Sequence, residues 1–194
     1  GIDTDAASIL LSELIDAGLV RQSDRGPVLT DPGREYALHV VRAHRLWERY
    51  LADRTGFGEL DWHREAEVKE HDLSEEEVGR LQEVLGHPTH DPHGDPIPNT
   101  TDEALSNLGC SLTEAPLRRP LRILHVEDEP EALYREILAA DLHPGTIVSV
   151  EERTATAVTM LADGRHLVLS PLVAANVEVV IAEDSPLGYE VRGG

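Results

Sequence analysis

Six residues between His44 and His71 can each offer a nitrogen or oxygen donor to a divalent cation: His44, Glu48, His63, Glu67, Glu70 and His71. Their spacing is helical. His44 and Glu48 are four apart, as are His63 and Glu67 and then Glu67 and His71, so each pair shares a helix face. Two such faces brought together would make a metal site. None of the six is a thiolate or thioether, and imidazole with carboxylate suits Mn2+ or Fe2+, with Zn2+ also able to bind in vitro. The ligating imidazoles must be neutral, so affinity should fall as pH drops through the histidine range. The HExxH pattern of metalloproteases, with its glutamate base, is absent, and no nucleophile and base stand together near the site. An enzyme is therefore not the expectation.

The bland reading differs between the two segments. Alone, His44 with Glu48 is the kind of surface pair that steadies a helix by a few tenths of a kcal/mol. The second segment is harder to explain that way, because four donors fall within nine residues and few apolar residues are left to make that face a core. Three more histidines lie in HPTHDPHGDPIP, residues 87–98, where Pro, Gly and Asp dictate successive turns, and there turn formation is the preferred reading over ligation.

The elements that must position these donors can be read in order. Apolar residues recur with helical period over 6–17 and Gly18 stops that helix. Short strands at 19–21 and 27–29 flank a Ser23–Gly26 turn, as in the second half of a winged helix-turn-helix. Thr30 is an N-cap and Pro32 suits the first turn of a helix reaching about Tyr50. A second ligand-bearing helix spans 61–71, and Ser74 with Glu77 makes a capping box for a third. Residues 99–119 are polar and irregular and read as a linker. Strands at 121–126, 146–151, 155–161, 166–169 and 177–181 around a helix at 131–140 suggest a small SH3-like barrel.

The 194 residues therefore divide into a partial winged helix-turn-helix (1–36), a helical metal-binding unit (37–98), a linker (99–119), a barrel (120–183) and a tail (184–194), an α+β multi-domain chain. Seventeen Lys and Arg against 37 Asp and Glu leave a net charge of -20, the wrong sign for a surface meant to meet phosphate. The lone cysteine, Cys110, cannot form a disulfide within the chain and fits a cytoplasmic setting. No apolar run reaches the length of a membrane span. The chain opens at Gly1 without Met, and an upstream segment is expected.

With these segments in view, the chain resembles the DtxR/MntR family of iron- or manganese-dependent repressors. LVRQSDRGPVLTDPGREYA is similar to its wing, VVRAHRLWERYL and WHREAEVKEHDLSEEEV to its metal-binding and dimerisation region, and DLHPGTIVSVEER to its FeoA-like SH3 domain. The resemblance implies that Glu67, Glu70 and His71 belong to the primary, regulatory metal site, incomplete without upstream helices, and that His44, Glu48 and His63 form the ancillary site. Glu67 stands where iron-type members carry a cysteine, which leans the site toward manganese. In the barrel, the positions expected to complete the ancillary site fall near Pro130 and Leu133, which cannot ligate, leaving Glu129 or Glu131 as substitutes. Ser8 is the one neutral polar reader on a DNA-facing helix that otherwise offers Asp5, Glu13 and Asp16. The implied function is a metal-responsive homodimeric transcription regulator binding operator DNA. The alternative, favoured by the acidic helix and net charge, is a cytosolic metal-sensing module attached to or acting on a membrane metal transporter.

Overall fold

The computed structural model describes residues 4–98 and 109–182. Helix α1 (Thr4–Asp16) leads into the hairpin β1 (Val20–Ser23) and β2 (Gly26–Leu29), whose register pairs Val20 with Leu29 and Ser23 with Gly26. Helix α1 buries none of its residues, and Ile9 and Leu10 stay exposed. Ser8 donates its hydroxyl to the Thr4 carbonyl of its own helix. The hairpin closes onto the start of α2 (Asp31–Arg54). Thr30 caps that helix by accepting from the Gly33 N–H, while its hydroxyl donates to the Gly18 carbonyl. Gly33 is required there, since a Cβ would sit 1.9 Å from the Leu19 carbonyl oxygen.

Helices α3 (Glu59–Lys69) and α4 (Glu75–Val84) pack on α2. The Ser74 and Glu77 capping box forms in full. Ala43, Leu46, Leu73, Val78 and Ile97 make a small core, with Ile97 supplied by the loop after α4. Helix α3 ends earlier than its sequence pattern suggests. Glu70, still in helical conformation, is its C-cap, and His71 lies in the turn beyond.

The second layer is a six-stranded antiparallel sheet in the order β3-β8-β4-β5-β6-β7, built from β3 (Cys110–Ser111), β4 (Leu121–Val126), β5 (Ile147–Arg153), β6 (Val158–Ala162), β7 (Arg165–Leu169) and β8 (Val177–Ile181). Register shifts in β4 and β5 mark the bulges that bend small sheets. Inward residues alternate along the strands, as at Val148 and Val150 or Val158, Met160 and Ala162, and close over α5 (Glu131–Ala139) and α6 (Pro171–Ala175). Two elements depart from the sequence reading. Helix α6, started by Pro171 and capped by Ser170, is too short to show a period. In the stretch read as linker, residues 99–108 lie outside the described residues. Beyond them Cys110–Ser111 pair with β8, and Leu112 and Ala115 are fully buried in the sheet's core. Leu60 of α3 packs against that same core, so the helical layer and the sheet share an apolar contact beside the donor-bearing residues.

Candidate metal centre

Glu48 is the centre of the site. It projects from the middle of α2, is 1% exposed, and has three imidazoles around its carboxylate. His44, one turn earlier, places Nε2 3.0 Å from Oε1. His63 of α3 places Nδ1 3.4 Å from the same oxygen. His93, 1% exposed in the loop after α4, places Nδ1 3.5 Å from Oε2. Asp128, in the connection from β4 to α5, sets Oδ2 3.0 Å from His63 Nδ1 and 3.6 Å from His93 Nδ1. His44, Glu48, His63 and Asp128 line a cavity of about 350 Å³ between the helical layer and the sheet. His44, Glu48 and His63 have donor atoms all within 4.8 Å of one another, as do Glu48, His93 and Asp128.

The donors aim at shared points more than at each other. His63 Nδ1 is buried with two carboxylate oxygens within 3.4 Å, yet makes no aligned hydrogen bond. Donors held at about 2.1 Å from one ion lie about 3.0–3.4 Å apart, close to the 3.0–3.6 Å contacts here. His44 is oriented from behind, its Nδ1 2.6 Å from Glu70 Oε2, which leaves Nε2 to face Glu48. A carboxylate behind a ligating imidazole is the usual outer support of a metal site.

Electrostatics match that geometry. Burial alone would raise the Glu48 pKa, but the three imidazoles outweigh it and hold the carboxyl far below the usual carboxylate range. The Glu48 carboxylate raises His63 to about 9 against opposing burial, with Asp128 and Glu129 adding to the effect. His93 is pulled down by burial yet reaches about 9, because Glu48, Asp91 and Asp128 surround it with negative charge. In the metal-free protein two imidazolium groups therefore carry the positive charge a cation would supply. Folded pKa values above the ordinary 6.5 mean that this stabilisation is complete below pH 6.5 and lost as pH rises through about 9. A cation that takes these imidazoles displaces their protons. The metal-free protein should thus lose thermal stability between pH 6.5 and 9 while affinity for Mn2+ rises, about tenfold per pH unit for each proton displaced. Calorimetry in buffers of different ionisation enthalpy counts those protons; affinity flat across this range would contradict the assignment.

The remaining sequence candidates fall on both sides of the centre. Glu129 reaches it, with Oε1 3.4 Å from His63 Nε2. Glu131 does not: it occupies the first turn of α5, is exposed, and pairs with Arg135 one turn later. The sheet layer's own contribution is instead Asp128, one residue before Glu129. Glu67 lines the cavity but is 60% exposed, 3.8 Å from His63 Nε2. His71 is equally exposed and touches Glu70 Oε1 at 3.2 Å. Glu70 thus lies between His44 and His71.

His93 is the donor that sequence reasoning passed over. Its loop is ordered by Asp91, a buried carboxylate whose Oδ1 accepts from the His93 and Asp95 N–H groups, and by Arg45, which reaches Asp95 and the Pro96 carbonyl. Gly94, at φ +95°, lets the loop lie against β4, and Val126 N–H donates to the His93 carbonyl at 3.0 Å. His87 is exposed, and His90 meets Thr89 instead of the centre. The signal for His93 was the density of turn formers around it, which here fix a side chain in place.

Comparison with known proteins agrees with this arrangement. Residues 30–99 match the family described as iron dependent repressor, metal binding and dimerisation domain. The iron-dependent repressor IdeR of Mycobacterium tuberculosis is 34% identical over 169 residues, covering 79% of this chain and 73% of that protein. A solved structure of a manganese-dependent transcriptional repressor in complex with manganese superposes with a TM-score of 0.83 at 29% identity, covering 93% of this chain and 86% of that one. A shorter match, 42% identical over 88 residues, links 45% of this chain to 20% of a probable metal transport system membrane protein of Chlamydia trachomatis. Taken with the helix and hairpin, the α2–α3 donor faces and the appended sheet, these relationships mean that the chain belongs to the DtxR/MntR family of iron- or manganese-dependent repressors.

Proposed function

We propose that this chain is a metal-responsive transcriptional regulator, a cytoplasmic homodimer that senses Mn2+ or Fe2+ and controls operator binding. The observation that carries the reading is the convergence of His44, Glu48 and His63 on one cavity where α2, α3 and the sheet meet. In this reading those three hold one ion, and Glu67, Glu70 and His71 contribute to a second, regulatory position. The bound cation supplies the charge that joins helices and sheet. The chain's own part is to present neutral imidazoles, keep Glu48 ionised and hold Asp128 against α3. Exposed apolar side chains on the helices, Tyr36, Val41, Val68 and Val84, are consistent with a subunit interface.

Among the comparisons, the transporter-linked alternative has only the partial match in its favour, which spans far less of both chains than the repressor matches do. Among the described residues no helix is long and apolar enough to cross a membrane.

The test is calorimetric titration of Mn2+, Fe2+ and Zn2+ into the wild type and a Glu67→Ala, His71→Ala double variant, followed by a gel shift with the protein's own promoter. The double variant should lose one binding event and any metal-dependent shift while keeping the event at His44, Glu48 and His63. Identical isotherms would refute the regulatory assignment.

A further inference from the structure

We propose that this protein meets its operator against a charge barrier: arginines of the β1–β2 hairpin hold phosphate while cations are taken up between α1 and the DNA, so that binding strengthens as salt rises. This rests on the functional reading above and adds the electrostatics of the DNA face.

The chain's basic groups are few and unevenly committed. One lysine, Lys69, and 16 arginines stand against 37 carboxylates, leaving a net charge of -20. Several exposed arginines of the helical layer are paired with their own neighbours, Arg49 with Asp53, Arg64 with Asp61 and Arg80 with Glu76. Arg21 on β1 and Arg25 in the hairpin turn are exposed and form no ion pair among the described residues. Their charge suits a phosphate.

Helix α1 opposes them. Asp5, Glu13 and Asp16 are all exposed, the helix holds no Lys or Arg, and Asp24 adds a further exposed carboxylate in the hairpin turn. DNA carries one negative charge per about 1.7 Å of its axis, so bringing α1 to a groove sets like charge on like. Where a protein's cations neutralise phosphates, counterions are released and salt weakens the complex. Here the larger number of charges facing DNA is negative. A carboxylate brought against phosphate must take a cation with it, and that uptake outweighs the release at Arg21 and Arg25. Screening acts in the same direction at longer range. The field of the acidic surface reaches about 10 Å at about 0.1 M salt and only about 3 Å at about 1 M. At high salt the short-range contacts of the hairpin arginines remain while the repulsion fades.

The experiment measures binding of the full chain to a duplex of its own promoter by fluorescence anisotropy, with Mn2+ saturating. Raising KCl from about 0.1 to about 1 M should strengthen binding about 10–100-fold, where counterion release would weaken it by as much or more. Asp5→Asn, Glu13→Gln and Asp16→Asn together, all exposed and nearly isosteric, should reverse the trend, so that affinity falls with salt. Arg21→Gln with Arg25→Gln should weaken binding at every salt. Circular dichroism at each concentration restricts the comparison to folded protein. Wild-type affinity that is flat or falls with salt overturns the proposal and leaves the functional reading intact. No binding at any salt overturns both. A salt gain that survives the three α1 substitutions, or an affinity untouched by loss of the two arginines, overturns the roles given to these elements.

Discussion

Replacing Glu48 with glutamine should abolish measurable metal binding at the α2–α3 centre and destabilise the metal-free protein at pH 7 by roughly 3–5 kcal/mol. The two effects share a cause. Glu48 contributes an oxygen to His44 and His63 and the other to His93, so its loss affects every donor in the cavity. Losing an outer support costs a metal site about 10–100-fold, and losing the central ligand should cost more. Without metal, the carboxylate is the main partner of the His63 and His93 imidazoliums, and a neutral amide would leave them buried beside too little negative charge. The penalty should therefore shrink above about pH 9, where both rings are neutral in the wild type. Urea denaturation of both proteins at pH 7 and near pH 10 measures it. A stability difference independent of pH would mean that packing, and not charge, is what Glu48 provides.

Gly94→Ala should be nearly as damaging although the residue carries no functional group. Its φ of +95° disfavours any side chain, and a Cβ would fall 1.9 Å from the Leu124 carbonyl oxygen, which is backbone and cannot swing aside. Strain and overpacking together should cost about 3 kcal/mol or more. The structural consequence is specific. The loop must lift from β4, breaking the bond from Val126 N–H to the His93 carbonyl and withdrawing the ring from Glu48. Gly164→Ala is the control, since its φ of +77° is also left-handed but nothing lies within 4 Å of the added Cβ. Denaturant midpoints and exchange of the Val126 amide separate the two; equal losses would show that backbone conformation alone accounts for Gly94.

The sequence makes the helical half of the centre legible for a physical reason. His44 and Glu48 are related by the helix repeat, so their convergence is local, and His63 lies on the next helix. Thr30, Ser74 and Glu77 likewise announce helix starts through short-range hydrogen bonds. His93 and Asp128 carry no such mark. Each is a single donor in a non-repeating segment, and only the docking of the loop on β4 and of the β4–α5 connection on α3 brings them to Glu48. Glu131 was a plausible substitute by sequence position, but the first turn of α5 directs it along its own helix to Arg135, while Leu133 and Tyr134 take the inward face. The early end of α3 has the same character. Donors four residues apart suggest a helix through His71, whereas α3 ends with Glu70 as its C-cap, whose carboxylate turns back to His44.

Helix α2 has a mechanical consequence. It runs without a break from the capped first turn beneath the hairpin to Arg54, and Glu48 lies 15 residues beyond Gly33. At 1.5 Å per residue that is about 22 Å of stiff rod. The hairpin cannot slide on its near end, because Thr30 is bonded to the Gly18 carbonyl and Gly33 leaves no gap beneath Leu19. Tilting the far end by about 3° moves the near end by about 1 Å, as leverage over that length requires. A change in how α2 is gripped at Glu48 thus reaches the hairpin as a displacement, without any rearrangement of the residues between.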